Sequence, residues 1–141
     1  MININNGSLR INDIFIYQGM KMEDIVSTNI DKIIEDGRFI YYWIKIQRYR
    51  GIEVSITLKF FNDIIMEIDL MPLLGDEEVF WDNWTEEREI RRLNIYKNFI
   101  EKETGKQLEN GIQKYEWGNV YAFYDSKSAR VFAGLNYNKG N

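Results

Sequence analysis

Acidic and aromatic side chains are concentrated in one short stretch of the chain, residues 76–89. This stretch holds seven carboxylates against a single basic residue, Arg88, although the whole 141-residue chain has a net charge of only −4. Three large rings, Phe80, Trp81 and Trp84, lie among the carboxylates. Aromatic side chains supply much of the binding energy of protein interfaces, and a concentrated negative field speeds the encounter with a cationic partner. The stretch therefore predicts a binding surface for a basic protein.

The residues expected to contribute to this surface are Asp76, Glu77, Glu78, Trp81, Asp82, Trp84, Glu86 and Glu87. A purely structural interpretation stays open. Acidic residues stabilise the positive end of a helix dipole, and the two tryptophans would equally suit an anchor that holds the start of a helix against a sheet.

The chain contains no histidine and no cysteine. This composition excludes an imidazole base, a thiolate nucleophile, a disulfide and an ordinary zinc site. The run Asp76-Glu77-Glu78 lacks the alternating spacing and the central glycine of a calcium-binding loop, and the chain has no glycine-rich phosphate-binding loop. We therefore expect a protein that acts by binding, with no catalytic residues, no metal and no cofactor.

The clustered carboxylates leave one catalytic alternative open, a glycosidase. Such an enzyme needs two carboxyl groups on opposite sides of a sugar, and neighbouring aromatic rings would suit the face of the sugar. Here the acids come from one segment rather than from separate elements, which disfavours this alternative.

A second cluster combines basic and aromatic side chains. It consists of Lys45, Arg48 and Arg50 with Tyr41, Trp43 and Tyr49. Such a combination can stack and hold a single nucleic-acid strand. Because Glu35, Asp36 and Glu53 lie close by and the overall charge is negative, we expect no nucleic-acid partner.

Alternating apolar residues predict a three-stranded antiparallel meander in the middle of the chain. Apolar side chains occupy every second position in residues 40–46, 54–60 and 64–70, which is the period of a strand with one buried face. The turns Tyr49-Arg50-Gly51 and Asn62-Asp63 separate the three runs.

After the meander the period becomes helical. Apolar residues recur at three- and four-residue spacing at Ile90, Leu93, Tyr96, and Phe99 or Ile100. With Glu89 and Arg92 on the other side, this spacing predicts an amphipathic helix over about residues 85–103. Thr85 suits the N-cap of the helix, and Gly105 suits the left-handed position just past its end.

Shorter signals lie towards both ends of the chain. Residues 14–17 predict a strand, residues 21–26 a short helix, and the aromatic-rich runs 113–124 and 129–137 a hairpin. Together these elements predict an α+β fold, with a mainly antiparallel sheet of five or six strands covered by the long helix and flanked by the short N-terminal one.

The length of the chain fits a single domain over residues 1–141. The first residues lack the pattern of a secretory signal, and no run of about 20 apolar residues would cross a bilayer. We therefore expect a soluble, cytoplasmic protein with no membrane partner.

The second half of the chain resembles a group of small bacterial proteins. The resemblance covers about residues 75–137 and lies in Trp81-x-x-Trp84-x-x-Glu87, the charged helix after it, Tyr115-x-Trp117-Gly118-x-Val120 and Tyr124-Asp125-x-Lys127, with Gly19-Met20-x-x-x-Asp24 as a looser match. These motifs resemble immunity proteins of polymorphic or contact-dependent toxin systems. The resemblance implies a small cytosolic protein that binds one cognate toxin domain. Because immunity families share no common fold or catalytic motif, it assigns no individual residue.

The residues and the resemblance agree that the protein acts by binding. The resemblance implies an immunity protein, which would neutralise its toxin by steric and electrostatic occlusion. A basic nuclease is one candidate toxin, because nucleases that hold a polyanion carry positive charge that an acidic patch can cover. Two alternatives stay open: a small-ligand or carbohydrate-binding module, and an adaptor domain with an unrelated intracellular partner.

Overall fold

The chain forms ten β-strands and one long helix over the residues that the structure, a computed structural model, describes: 1–25, 30–73 and 85–138. The strands, in chain order, are β1 (Ile2–Asn3), β2 (Ser8–Ile11), β3 (Ile14–Ile16), β4 (Ile30–Asp36), β5 (Phe39–Tyr49), β6 (Ile52–Phe61), β7 (Ile64–Pro72), β8 (Ile112–Tyr115), β9 (Gly118–Asp125) and β10 (Arg130–Tyr137). The helix, α1, spans Glu86–Thr104, and a 3-10 turn covers Met22–Asp24. These elements confirm the predicted α+β class.

The strands form two antiparallel sheets. The small sheet has the order β1-β2-β3, and the large sheet has the order β4-β5-β6-β7-β10-β9-β8. A single-residue bridge between Lys21 and Ile64 extends the large sheet further. The prediction of a mainly antiparallel sheet is confirmed, but five or six strands is too few, because β4 and β8 also join the large sheet.

The predicted meander is confirmed as β5, β6 and β7, with two local errors. At the start of β7 the register with β6 shifts, so that Ile65 is buried and Ile64, which was expected on the core face, is 47% exposed. Between Ile44 and Gln47 the register shifts, so that Lys45 and Ile46 together face a single residue of β6, Ser55. A bulge of this kind interrupts the alternation of side chains between the two faces of a strand. Ile46 was expected on the core face and is instead 54% exposed.

Helix α1 begins and ends close to the predicted positions, because its caps act as expected. Thr85 Oγ1 accepts a hydrogen bond from the amide of Arg88 (3.2 Å). Gly105 follows the last turn in the left-handed conformation, with φ of 73°, and its amide donates to the carbonyl of Glu101. Both arrangements satisfy main-chain groups that the helix itself leaves unpaired.

The buried stripe of α1 differs from the predicted one. It consists of Glu89, Arg92, Tyr96, Ile100 and Thr104. Ile90, which was expected on this stripe, is 52% exposed, whereas Glu89 and Arg92 were expected on the opposite side. Because successive helical residues lie about 100° apart, Ile90 is about 120° from Tyr96 around the helix axis. The stripe through Tyr96 therefore runs back to Arg92 and Glu89 instead.

The predicted N-terminal helix at residues 21–26 is wrong beyond its first turn, and its last residue lies outside the described ranges. The amide of Asp24 donates to the carbonyl of Lys21 and closes the 3-10 turn, and the carboxylate of Asp24 caps it by accepting a hydrogen bond from the amide of Lys21 (3.0 Å). Just before the turn, the carbonyl of Met20 accepts a hydrogen bond from the amide of Ile65 in β7. Main-chain bonding to the large sheet thus replaces the bonds of a longer helix.

The predicted C-terminal hairpin is confirmed as β9 and β10. These strands pair in continuous register from Asp125 and Arg130 to Gly118 and Tyr137. The expected first run, 113–124, contains an additional turn at residues 116–117, which separates β8 from β9.

Helix α1 and the small sheet pack on the same face of the large sheet, which we call the inner face. The inner face consists of Val54, Ile56, Leu58, Phe60, Ile68, Leu70, Val120, Ala122, Ala133 and Leu135, all of them buried. Tyr96 from α1 and Leu9 from β2 join this core. The indole Nε1 of Trp117 donates a hydrogen bond to the carbonyl of Ile4 (2.8 Å) and ties the small sheet to the C-terminal strands.

The pairing of β7 with β10 joins the meander to the C-terminal strands. Its residue pairs are Asp69 with Gly134, Ile68 with Leu135, and Glu67 with Asn136. The backbones approach so closely at Gly134, where φ is +156°, that a Cβ atom there would overlap the carbonyl oxygen of Ile68. Glycine is therefore required at this position of β10.

Replacing Gly134 by alanine should separate this pairing. We expect Gly134→Ala to lower the free energy of unfolding by about 3 kcal/mol or more, since a side chain there must displace the backbone of β7. Gly51→Ala is the matched control, because Gly51 also has a positive φ (+83°) but open space around its Cβ position. Conformational strain alone should cost the control about 1–2 kcal/mol. Urea unfolding measures both variants, and equal losses would contradict the close approach.

Candidate functional site

The face of the large sheet that points away from α1, here called the outer face, brings together polar and aromatic side chains from six strands. Strand pairing places its central residues in two rows across the sheet. The first row contains Tyr41, Lys59, Glu67, Asn136, Asn119 and Lys114, and the second contains Trp43, Thr57, Asp69, Gly134, Tyr121 and Ile112. These residues alternate along each strand with the buried residues of the inner face.

At the centre of the outer face a tyrosine bridges two carboxylates. The hydroxyl of Tyr121 lies 2.8 Å from Glu67 Oε1 and 2.7 Å from Asp69 Oδ1, within hydrogen-bond distance of both. Tyr121 comes from β9 and the carboxylates from β7, so the phenol must cross β10 between them, at Gly134. The missing side chain of Gly134 leaves room for this crossing. A further polar contact, Asn119 Nδ2 to Asn136 Oδ1 (3.0 Å), spans β9 and β10 in the neighbouring row.

Asp69 holds a proton more tightly than an isolated aspartate does. A phenol has one hydrogen to donate, and two acceptor oxygens lie within 2.8 Å of the hydroxyl oxygen of Tyr121. Either this hydrogen is shared between both oxygens in a three-centre hydrogen bond, or one carboxyl group supplies a second hydrogen. Burial, and then the charge of Glu67, raise the pKa of Asp69 to about 6, against the opposing effects of the Tyr121 hydrogen bond and of Lys59. Burial and the two carboxylates raise the pKa of Tyr121 far above its ordinary value.

Aromatic rings flank the carboxylate pair on both sides. Towards β5, the rings of Phe39 and Phe61 lie 5.0 Å apart, and Lys59 Nζ lies 4.8 Å above the ring of Phe39. Towards β9, the rings of Phe123 and Phe132 lie 6.0 Å apart. Trp43 and Phe123 remain 37% and 42% exposed. Rings that are both positioned by neighbours and accessible are suited to protein contacts.

Most of the predicted acidic surface lies outside the described residues. Asp76, Glu77, Glu78, Trp81, Asp82 and Trp84 belong to this group. Glu86 and Glu87 are described, and both are exposed in the first turn of α1. Their position agrees with the structural interpretation as a favourable interaction with the helix dipole, and their exposure leaves them accessible to a partner.

The basic and aromatic cluster considered for nucleic acid is divided by the fold. Tyr41 and Trp43 belong to the outer face, but beyond the bulge in β5 the chain turns towards the end of α1. There the hydroxyl of Tyr49 donates to Glu103 (3.1 Å), and Arg50 forms an ion pair with the same carboxylate (3.1 Å). The six residues therefore do not form one continuous surface.

Sequence reasoning missed the Tyr121 bridge. Glu67 and Asp69 occupy the polar positions of an alternating strand, and nothing near them in the chain marks them as different from solvated residues. Their partner lies more than 50 residues away and reaches them through the pairing of β10 with both β7 and β9. The one local signal is Gly134, a glycine inside an otherwise strand-forming run.

Among the described residues, no group of three or more acidic side chains is arranged to hold a metal ion. An open groove of about 600 Å³ runs beside β8, lined by Lys106, Lys114 and Tyr115 among others. No helix in the described ranges is long and apolar enough to cross a membrane.

Comparisons of the chain with protein-family models, with curated proteins and with solved structures find no match.

Making position 69 permanently neutral should stabilise the protein at neutral pH. Because the pKa of Asp69 rises from 3.8 to about 6 on folding, the folded state binds this proton more tightly than the unfolded state does. Wild-type stability should therefore fall, relative to Asp69→Asn, as the pH rises from about 4 to about 6, and then level off. Between low and neutral pH, the free energy of unfolding of the wild type should fall by about 2–3 kcal/mol relative to that of Asp69→Asn.

Urea unfolding of the wild type and Asp69→Asn at several pH values between 4 and 8 measures this difference. Asp13→Asn, at an exposed position, controls for the loss of one negative charge. A stability difference between Asp69→Asn and the wild type that stays constant across the pH range would contradict the raised pKa of Asp69.

Proposed function

We propose that this protein is a non-catalytic protein-binding domain, an immunity protein that neutralises a cognate bacterial toxin by covering its active surface. The outer face is the observation that supports the proposal most strongly. It presents accessible rings, Trp43 and Phe123, around a rigid polar centre at Tyr121. Exposed aromatic side chains held by well-packed neighbours are the usual anchors of protein interfaces.

The dimensions of the outer face agree with such a role. Seven strands that average about eight residues and lie about 4.8 Å apart form a surface of about 750 Å². A stable protein interface takes about 800 Å² from each partner. The outer face is thus large enough to supply most of one side of a standard interface.

The acidic segment supplies the electrostatic part of the proposal. Its residues in the sequence, Asp76 to Glu87, carry a strong local negative charge, and its last members, Glu86 and Glu87, are exposed. A basic nuclease domain is the preferred partner, because carboxylates can occupy the positions where the nuclease would hold phosphates. In this account inhibition is steric and electrostatic, and the protein acts in the cytoplasm, where such a nuclease would meet nucleic acid.

The central carboxylate pair supports binding over catalysis. The hydroxyl of Tyr121, a side chain only 5% exposed, lies between Glu67 and Asp69. A glycosidase needs space for a sugar between its two carboxyl groups. We therefore assign the pair a structural role in holding the outer face rigid.

Complex formation with a basic, growth-inhibitory toxin domain encoded next to this gene tests the proposal. Charge reversal of the acidic segment by Asp76→Lys, Glu77→Lys and Glu78→Lys together should weaken the complex at least about tenfold at low salt and reduce its salt dependence, since long-range attraction between the two surfaces is lost. Titration calorimetry at two salt concentrations measures both effects.

The matched control reverses three exposed acidic residues elsewhere, Asp13→Lys, Glu109→Lys and Glu116→Lys. If the control weakens the complex equally, net charge rather than the acidic segment is responsible. If the wild type forms no complex at either salt concentration, the immunity proposal is wrong. Thermal-shift screening then tests the small-ligand alternative, and a gene neighbourhood without a toxin favours an adaptor.

A further inference from the structure

The two edge strands of the large sheet are protected to different degrees. At the β8 edge, the amide and carbonyl of Ile112 that point away from β9 are both bonded to Glu109 (3.1 Å each). The neighbouring Gln113 side chain donates to the carbonyl of Lys106 (2.7 Å), which holds the preceding loop against this strand. With only four residues, β8 offers little free backbone to a partner.

The other edge strand, β4, is seven residues long. Within the described ranges it pairs with β5 alone, and after a register shift between Ile30 and Lys32 the pairing continues without interruption to Asp36. In an antiparallel edge strand every second residue directs its amide and carbonyl away from the sheet. The uninterrupted part of β4 thus has the geometry of a template for one more strand.

Apolar side chains accompany this backbone edge. Ile33 and Ile34 point to opposite faces of the sheet and are 50% and 38% exposed. Trp43 and Ile46, on the neighbouring β5, are 37% and 54% exposed. Exposed apolar residues on both faces of an unprotected edge strand are what a bound strand would cover with its own alternating side chains.

The charge of β4 indicates which kind of strand would bind. Asp31, Glu35 and Asp36 are exposed, and the strand contains three carboxylates against one lysine. Pairing with a second copy of β4 would bring two acidic strands together, and like charges on adjacent strands are destabilising. A strand with basic side chains would instead neutralise these carboxylates.

We propose that β4 is the docking edge for an extended segment of the toxin partner, in which apolar residues alternate with lysine or arginine. The segment would add an eighth full strand to the large sheet, with main-chain hydrogen bonds for affinity and Asp31, Glu35 and Asp36 for charge selection. This inference rests on the proposed function for the identity of the partner, but the binding property of the edge can be tested without any toxin.

The direct probe is a labelled ten-residue peptide that alternates valine with lysine, with fluorescence anisotropy as the readout. Two comparison peptides separate the contributions: one alternates valine with glutamate, and the other is the basic peptide with alternate amides N-methylated so that it cannot form a ladder. We expect the basic peptide to bind at least tenfold more tightly than either comparison peptide.

Protein variants locate the binding site. The double variant Ile33→Lys with Glu35→Lys changes two exposed positions of β4 and should weaken binding of the basic peptide at least tenfold. Gln107→Lys with Glu109→Lys, at exposed positions of the loop before β8, adds the same positive charge at the opposite side of the sheet and should leave the peptide affinity unchanged. Cooperative thermal unfolding of each variant confirms that it is folded.

Three results would overturn the inference. Equal binding of the N-methylated peptide would exclude strand addition, and full affinity in the β4 variant would exclude this edge. A wild-type dimer in light scattering that the β4 variant abolishes would assign the edge to a second copy of the chain. The proposed function fails separately: peptide binding at β4 without any toxin complex overturns immunity alone, whereas toxin neutralisation by the β4 variant at wild-type level overturns the docking edge alone.

Discussion

The pairing of β7 with β10 is the constraint on which the rest of the large sheet depends. Three residue pairs join β7, the last strand of the meander, to the C-terminal strands, and no side chain other than hydrogen fits at Gly134 within that pairing. On the inner face, Leu135 and Ile68 pair in the core. On the outer face, Tyr121 crosses the pairing at Gly134 and binds both carboxylates of β7. Both faces therefore hold the two halves of the sheet in one register.

Over the ranges that the structure describes, the inner face is covered by α1 and the small sheet, which leaves the outer face as the accessible side of the large sheet. Glu103 near the end of α1 is almost fully buried and contacts Tyr49 and Arg50, which ties the helix to the turn between β5 and β6. The indole of Trp117 ties the small sheet to the C-terminal strands. With the helix and the small sheet on one side, two surfaces support a binding function: the accessible rings of the outer face, and the edge of β4, which among the described residues pairs with β5 alone.

Local patterns in the sequence predicted the elements that depend on local physics. Alternation predicted β5, β6 and β7, and the caps Thr85 and Gly105 predicted both ends of α1, because these signals act over a few residues. The rotation of α1 was not predictable in the same way. Burial of Glu89 and Arg92 instead of Ile90 depends on which side of the helix meets the sheet, and that is set by tertiary packing.

Long-range pairing accounts for most of the rest. The bulge at Lys45 and Ile46 depends on the register between β5 and β6, and the pairing of β7 with β10 joins residues more than 60 positions apart. In β4 apolar and polar residues alternate only weakly, because this strand lies at an edge, where both faces remain partly exposed. The carboxylates of β7 became distinguishable from solvated residues only when Tyr121 was placed beside them. The predicted acidic surface lies mostly outside the described residues and stays a prediction.

The central claim is that this protein binds another protein through the outer face and the β4 edge. Hydrogen–deuterium exchange of the protein, alone and in complex with the cognate toxin domain, tests that claim most directly, because it reports on each strand separately. The account predicts that amides of β4 become protected in the complex, with further protection in the neighbouring β5 and little change in α1 beyond its first turn, where Glu86 and Glu87 lie. Protection confined to α1 and the small sheet, with β4 exchanging as fast as in the free protein, would contradict it.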